Sequence, residues 1–299
     1  MRFVIVGAGA VGGYFGAKLA RAGADIFFLA RGANLEALRE RGFTVKSARG
    51  DFDVRVQAGD RAPTADVLVV AVKAYDTKAA VEPCALAPDG VALTLQNGLG
   101  SVEALGALVG AGRVLGGVAY VGSELAAPGR IVHDTGGRIV IGEPGGAITP
   151  RLETIRDAFV RADVPCELTT DLRQAIWEKL VANSVFNVMA AAWGIELGDI
   201  LARKFRHVAE KAIAELVEVA AADGVTVRTE AVDHCWRFCE NYPTFKTSTQ
   251  QDLARGKQTE WEALSAELIR IAGRHAIRVP THEMMLDKLK RMTERARTC

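Results

Sequence analysis

The run Gly7-Ala8-Gly9-Ala10-Val11-Gly12 restricts this chain more than any other feature. It reads G-x-G-x-x-G, follows an apolar stretch (residues 3–6) that predicts a β-strand, and opens a helical pattern over residues 11–22. That strand–turn–helix context is the one the motif requires in order to bind phosphate. Gly7 permits a tight turn, Gly9 lets backbone approach a pyrophosphate, and Gly12 lets helix and strand pack closely. The helix start adds free N–H groups and a partial positive charge. The whole run, with Ala8, Ala10 and Val11, is a candidate dinucleotide-binding segment. The alternative is a glycine-rich structural turn in another α/β fold.

The end of the second predicted strand, residues 26–30, bears on the type of dinucleotide. NAD sites usually carry an acid there, about 20 residues past the turn, for the ribose hydroxyls. This chain reads Leu29-Ala30-Arg31-Gly32, and its nearest acid, Asp25, lies at the strand's opening end. Arg31 can meet a 2′-phosphate with charge-assisted hydrogen bonds, which favours NADP (NADPH). A solvated surface arginine is the alternative.

Short apolar runs and helical patterns alternate through the first half, with helices at residues 35–41 and near 78–81 and strands at 67–72 and 91–96. Such alternation predicts a parallel sheet covered on both faces. Phe52, Val54 and Val56 alternate with polar residues, as in a half-exposed strand. Late strands are expected at residues 114–121, 130–133 and 138–141, with hairpin turns at 128–129, 136–137 and 144–146. After the short strand 166–168 only helical patterns follow, at residues 172–192, 205–222, 229–240, 261–276 and 281–292. The expected fold is α/β: an N-terminal Rossmann-type dinucleotide-binding domain over residues 1–169 and an all-α domain over 170–299.

Composition excludes several classes. With 299 residues, 49% apolar and 24% charged, the chain suits a soluble globular protein, and a net charge of +1 gives no field for steering nucleic acid. No apolar run of about 18 residues predicts a membrane span, and the start of the chain reads as the first strand rather than a signal peptide. The five cysteines (84, 166, 235, 239 and 299) are sparse and odd in number, as for reduced thiols in a cytoplasm. Cys235 and Cys239 lie one helical turn apart, but no His/Cys pair with ligand spacing follows, so no metal site is expected.

Lys73 and Asn97 close two apolar runs, at strand carboxyl ends where open parallel sheets bind ligands. A polar edge with a turn asparagine is the alternative. Lys179, Asn183 and Asn187 are spaced by four on one helix face, among Leu180, Val181, Val185, Phe186, Val188 and Met189. A buried polar group without a partner costs about 1–3 kcal/mol. Three in a row therefore require a polar cavity, a ligand or an interhelical network. The functional reading is a substrate floor with Lys179 as proton donor, because a partly desolvated lysine can titrate near the working range. Ser248 and Gln251 have capping-box spacing, as do Thr259 and Glu262, so Ser248 and Glu260 read either as helix-start residues or as ligand contacts.

With these residues the chain resembles the ketopantoate reductase (2-dehydropantoate 2-reductase) family over nearly its whole length. The matching segments are GAGAVGG, Arg31, Val72-Lys73-Ala74, Leu95-Gln96-Asn97-Gly98, the K-L-x-x-N-x-x-x-N helix at 179–187, and Ser248, Gln251, Asp252, Thr259 and Glu260. The resemblance implies a Rossmann domain followed by a helical domain of the 6-phosphogluconate dehydrogenase C-terminal type. It also implies an NADP-dependent oxidoreductase of pantothenate and coenzyme A biosynthesis, with Lys179 as general acid and Glu260 positioning Lys179 or a substrate oxygen. Lys73 and Asn97 would seat the nicotinamide side, Asn97, Asn183 and Asn187 would hold the substrate, and Ser248 its carboxylate. The partner implied is a small-molecule 2-oxo acid, and a homodimer is compatible with the sequence. One departure is visible: some members place a further asparagine after the catalytic helix, whereas residues 193–198 read Trp-Gly-Ile-Glu-Leu-Gly. Another 2-oxo acid as substrate, or an NADP-binding regulator without catalysis, are the rival readings.

Overall fold

The computed structural model describes residues 1–298, the side chains of 296–298 excepted, and its contacts cluster into two compact units. One comprises Met1–Gln96 and Ser101–Leu172, the other Asn97–Gly100 and everything from Arg173 onward. Cys299, counted among the thiols above, lies outside the described residues.

The first unit runs β1 (Arg2–Val6), α1 (Ala10–Arg21), β2 (Asp25–Leu29), α2 (Gly32–Arg41), β3 (Phe43–Ser47), β4 (Phe52–Val54), β5 (Gln57–Gly59), β6 (Ala65–Val70), α3 (Thr77–Val81), β7 (Leu86–Thr94), α4 (Ser101–Val109), β8 (Val114–Ala127), β9 (Arg130–Gly142), α5 (Pro150–Arg161) and β10 (Cys166–Leu168). The strands form one sheet in the order β4-β3-β9-β8-β7-β6-β1-β2-β5, with β10 paired to β9. From β8 through β7, β6, β1 and β2 to β5 all pairs are parallel. The strands β1 and β6 are therefore near-continuous apolar runs, buried on both faces. Phe3, Ile5, Phe15, Phe28 and Phe159 pack on one face, and Val4, Val6, Leu68, Val70 and Leu105 on the other.

Three details correct the sequence expectation. Residues 136–137 are not a hairpin turn. They lie inside the single long strand β9, where Tyr120 pairs with Arg138 and Val121 with Gly136, leaving Gly137 as the extra residue of a bulge. The antiparallel β8–β9 ribbon thus replaces three short strands. Residues 144–146 do turn the chain, but into α5 rather than into another strand. The helix α5 itself carries an overlooked start signal: Thr149 caps it by accepting from Leu152 N–H, with Pro150 in the first turn.

The second unit holds, after α6 (Leu172–Leu180), a π-helical segment Val181–Asn187, then α7 (Val188–Trp193), α8 (Arg203–Ala222), α9 (Thr229–Asn241), α10 (Ser248–Ala254), a second π segment Glu262–Ala266, α11 (Glu267–Arg274) and α12 (Pro280–Thr298). The expected uninterrupted α-helix over 172–192 is therefore three segments, with a widened turn in the middle. Residues 188–192 are buried all round, as an all-apolar helix must be. Glu215 on α8 accepts the N–H groups of Thr281 and His282 at 2.9 and 3.0 Å, which satisfies first-turn donors of α12. Buried His282 adds a contact of 2.9 Å from Nε2 to the Ala212 carbonyl.

Candidate active site

In the first unit the glycine run has two positions that only glycine fits and one that is open. Gly7 has φ +106°, and a Cβ there would lie 2.7 Å from the Val72 nitrogen. A Cβ at Gly12 would overlap the Gly7 carbonyl oxygen. At Gly9 nothing lies within 4 Å of that position, so the backbone at the start of α1 is open to a ligand. Gly9 is the N-cap residue of α1 with no side-chain cap, and the first turn, which begins at Ala10 and Val11, carries no acid. Uncapped N–H groups without a neighbouring carboxylate fit a pyrophosphate.

Two residues without an assigned role in the sequence hold this region in shape. Asn34 on α2 donates from Nδ2 to the Ala8 carbonyl (2.8 Å), and its Oδ1 accepts from Gly129 N–H (2.8 Å). The turn is thereby clamped to the β8–β9 hairpin. Buried Gln96 donates to the Val72 carbonyl (2.9 Å) and to Thr77 Oγ1 (2.7 Å), while Thr94 Oγ1 donates to Gln96 Oε1 (3.1 Å), which fastens together the carboxyl ends of β6 and β7. A polar residue closing an apolar strand was the available signal for Gln96; Asn34 had none.

Arg31 is the N-cap residue of α2, exposed and extended, at the carboxyl end of β2. Asp25, at the strand's other end, is occupied by Arg2 at 2.9 Å. Lys73 is half-buried and follows β6. Asn97, expected beside it at a strand end, lies three residues past β7 and belongs to the second unit.

In that unit Lys179 stands half-buried in the last turn of α6. Its neighbour Glu178 is buried and accepts both Nε and Nη2 of Arg228 at 2.6 Å, and also Arg228 N–H at 3.3 Å. Glu178 thus pins α6 to the start of α9. On α9, burial pushes the Cys235 thiol up to about 12, against the opposing pull of the Lys179 charge. Burial likewise pushes Cys239 up to about 12, so both sulfurs are inert thiols in the core.

The π segment Val181–Asn187 carries the two asparagines. Asn187 Nδ2 donates to Asn183 Oδ1 (3.1 Å), and Asn183 Nδ2 donates to Asn97 Oδ1 (3.2 Å). Three expected site residues are thus one ladder of amides, ending on the NH2 group of Asn97. Glu260 is buried, and its carbonyl accepts Leu264 N–H at the start of the second π-containing helix.

The capping assignments need correction. The box that starts α10 is Thr247 with Gln250, not Ser248 with Gln251. Thr247 is the last extended residue (φ −65°, ψ 155°), so its hydroxyl is the one that reaches Gln250 N–H. Ser248 stays exposed on the first turn. Thr259 Oγ1 lies 3.5 Å from Thr293 Oγ1, a contact outside the expected pairing with Glu262.

Comparison with known proteins follows the same division. The sequence matches the family described as Ketopantoate reductase PanE/ApbA over residues 3–146, and its C-terminal counterpart over 171–293. It is 32% identical to the 2-dehydropantoate 2-reductase of Halobacterium salinarum over 302 residues, covering 99% of each chain. It is also 32% identical to that of Archaeoglobus fulgidus, over 90% of each chain. The crystal structure of 2-dehydropantoate 2-reductase from Geobacter metallireducens superposes with a TM-score of 0.92 at 34% identity, covering 97% of this chain and 99% of that one.

Proposed function

The chain belongs to the ketopantoate reductase family, and on that premise we propose that it reduces 2-dehydropantoate to pantoate with NADPH, in the cytoplasm, as a step of pantothenate biosynthesis. The observation that carries this is the amide ladder Asn187–Asn183–Asn97, with Lys179 one helical turn before it. A row of neutral donors and acceptors beside a cation suits a small, oxygen-rich anion.

NADPH held by the glycine run would supply the hydride for C2. Lys179 gives its proton to the ketone oxygen as charge develops there. Asn97, Asn183 and Asn187 orient the ketone and hydroxyl, Glu260 positions Lys179 or a substrate oxygen, and Ser248 receives the carboxylate. The glycine run from Gly7 to Gly12 takes the pyrophosphate, Arg31 the 2′-phosphate, and Lys73 supports the nicotinamide side. The open backbone at Gly9 and the exposure of Arg31 support these assignments. Four thiols without disulfide partners suit a reducing compartment, and among the described residues no helix is long and apolar enough to cross a membrane.

The test is NADPH oxidation followed by absorbance with ketopantoate beside a panel of other 2-oxo acids. Ketopantoate should have the highest kcat/KM, and Lys179→Ala should lower kcat on the order of 100- to 10,000-fold, the range of general acid catalysis. Faster turnover of another oxo acid would reject the substrate while keeping the chemistry. An unchanged rate in Lys179→Ala would reject the chemistry.

A further inference from the structure

The π segment Glu262–Ala266 exposes a backbone acceptor that a regular helix would consume. In an α-turn, Glu267 N–H would donate to the Ala263 carbonyl. Here it donates to Glu262 instead, which is what one extra residue in a helical turn does. The Ala263 carbonyl accepts from Leu99 N–H at 3.1 Å, a donor contributed by a segment more than a hundred residues away in the chain.

That segment, Asn97–Gly100, is held at three points. Asn97 Oδ1 accepts from Asn183, Leu99 N–H meets Ala263, and the Leu99 side chain packs into the apolar core of the helical unit. Between the first two points lies Gly98, buried, with φ +89°. A Cβ there would overlap the Ala263 carbonyl oxygen, lie 2.7 Å from its carbon and 2.9 Å from the Ala263 methyl. Only glycine lets the two backbones approach this closely, in the left-handed conformation that precedes the Leu99 N–H bound to the freed carbonyl. Gly100 has a similar φ of +81° but nothing within 4 Å, so it shares the conformation without the contact.

We propose that Gly98 and Ala263 are positioning residues for the reductase reaction: the carbonyl freed by the π-turn latches the Asn97 loop and fixes the end of the amide ladder before substrate arrives. This rests on the reading of Asn97 as a substrate and nicotinamide contact. The latch acts on an orientation, so its loss reaches the chemical step more than the binding of the dinucleotide. A displacement of about 1 Å at such a group can cost on the order of 100-fold in rate.

The experiment compares Gly98→Ala with Gly100→Ala in the full chain. Gly98→Ala should lower kcat with ketopantoate about 100-fold, with NADPH Kd by fluorescence within about twofold of wild type, while Gly100→Ala stays within about threefold in kcat. In 15N spectra the side-chain amide signals of Asn97 and Asn183 should move in Gly98→Ala and not in Gly100→Ala. Equal losses in the two variants would overturn the latch, since they share the backbone conformation. So would unmoved asparagine signals. Should Gly98→Ala not fold, wild-type hydrogen exchange decides: the Leu99 amide must be protected, and exchange as fast as that of the Gly100 amide overturns the proposal. If the wild type reduces no oxo acid, the functional reading fails on its own, and the asparagine signals and Leu99 exchange still decide the latch.

Discussion

At the scale of single residues, an exposed side chain without a partner among the described residues is the most informative. Arg31 is exposed at the carboxyl end of β2, and the first turn of α2 carries no acid. On the proposed reading, a guanidinium there makes charge-assisted hydrogen bonds to a 2′-phosphate that a plain ribose hydroxyl does not offer. Bonds to charged groups contribute about 1.5–3 kcal/mol each. Arg31→Ala should therefore raise the Kd for NADPH about 10- to 100-fold while leaving that for NADH nearly unchanged, as read by fluorescence titration. Equal weakening of both would mean that Arg31 supports the loop rather than the phosphate. The position of Arg31 was legible in the sequence because an apolar strand pattern ends just before it. The role of Asn34 was not, and that of Gln96 was only hinted at by its place at the end of an apolar run. Their work is done by hydrogen bonds to Ala8, Gly129, Val72 and Thr77, and those partners become neighbours only when the sheet assembles.

At the scale of elements, spacing was a better guide than helix type. Lys179, Asn183 and Asn187 were recognisable because a spacing of four puts side chains on adjacent turns in both α- and π-geometry, as the 3.1 Å bond between the two asparagines demonstrates. The widened turns at Val181–Asn187 and Glu262–Ala266 left no such mark, since a single inserted residue does not disturb hydrophobic periodicity enough to be seen. The start of α10 shows the same limit one residue at a time. Thr247 and Ser248 are both good caps, and S-x-x-Q fits one register while T-x-x-Q fits the other. Which hydroxyl caps depends on where the chain leaves the extended region, and that is fixed by tertiary contacts. Gln250, the other half of the box, also donates to the Ile195 carbonyl at 2.9 Å. Thr247→Ala should accordingly lower unfolding stability by about 1 kcal/mol, whereas Ser248→Ala should leave the denaturation midpoint unchanged and alter only KM for the oxo acid. A stability loss in Ser248→Ala equal to that in Thr247→Ala would contradict this register.

At the scale of the molecule, the division into a sheet-bearing unit and a helical unit followed from periodicity alone, because β-rich runs stop at Cys166–Leu168 and amphipathic helices take over. What periodicity could not reveal is that each unit buries one histidine, and this sets how the fold responds to acid. In the first, burial, aided by the Arg49 charge, holds His133 below its ordinary value. In the second, burial lowers His282 against the opposing pull of the Ala212 carbonyl and of Glu215. A histidine whose folded value is depressed binds fewer protons in the native state than in the unfolded chain. Its stabilising effect is present above the unfolded value of about 6.5 and is lost as the pH falls below it. The carboxylates held low by partners, Asp163 by Lys18 and Glu143 by Arg151 and Thr149, lose their contribution only in more acidic solution, below the ordinary carboxylate range. Between pH 7 and pH 5 the histidines therefore dominate. Each adds a slope of at most about 1.4 kcal/mol per pH unit, the value for one proton. Wild-type protein should lose unfolding free energy across this window. His282→Gln, whose amide can still reach the Ala212 carbonyl but cannot take up a proton, should show a visibly flatter profile even if it is less stable at pH 8. Denaturant titrations at pH 8, 7, 6 and 5 measure this directly, and parallel profiles for the two proteins would show that His282 is protonated in the fold without penalty.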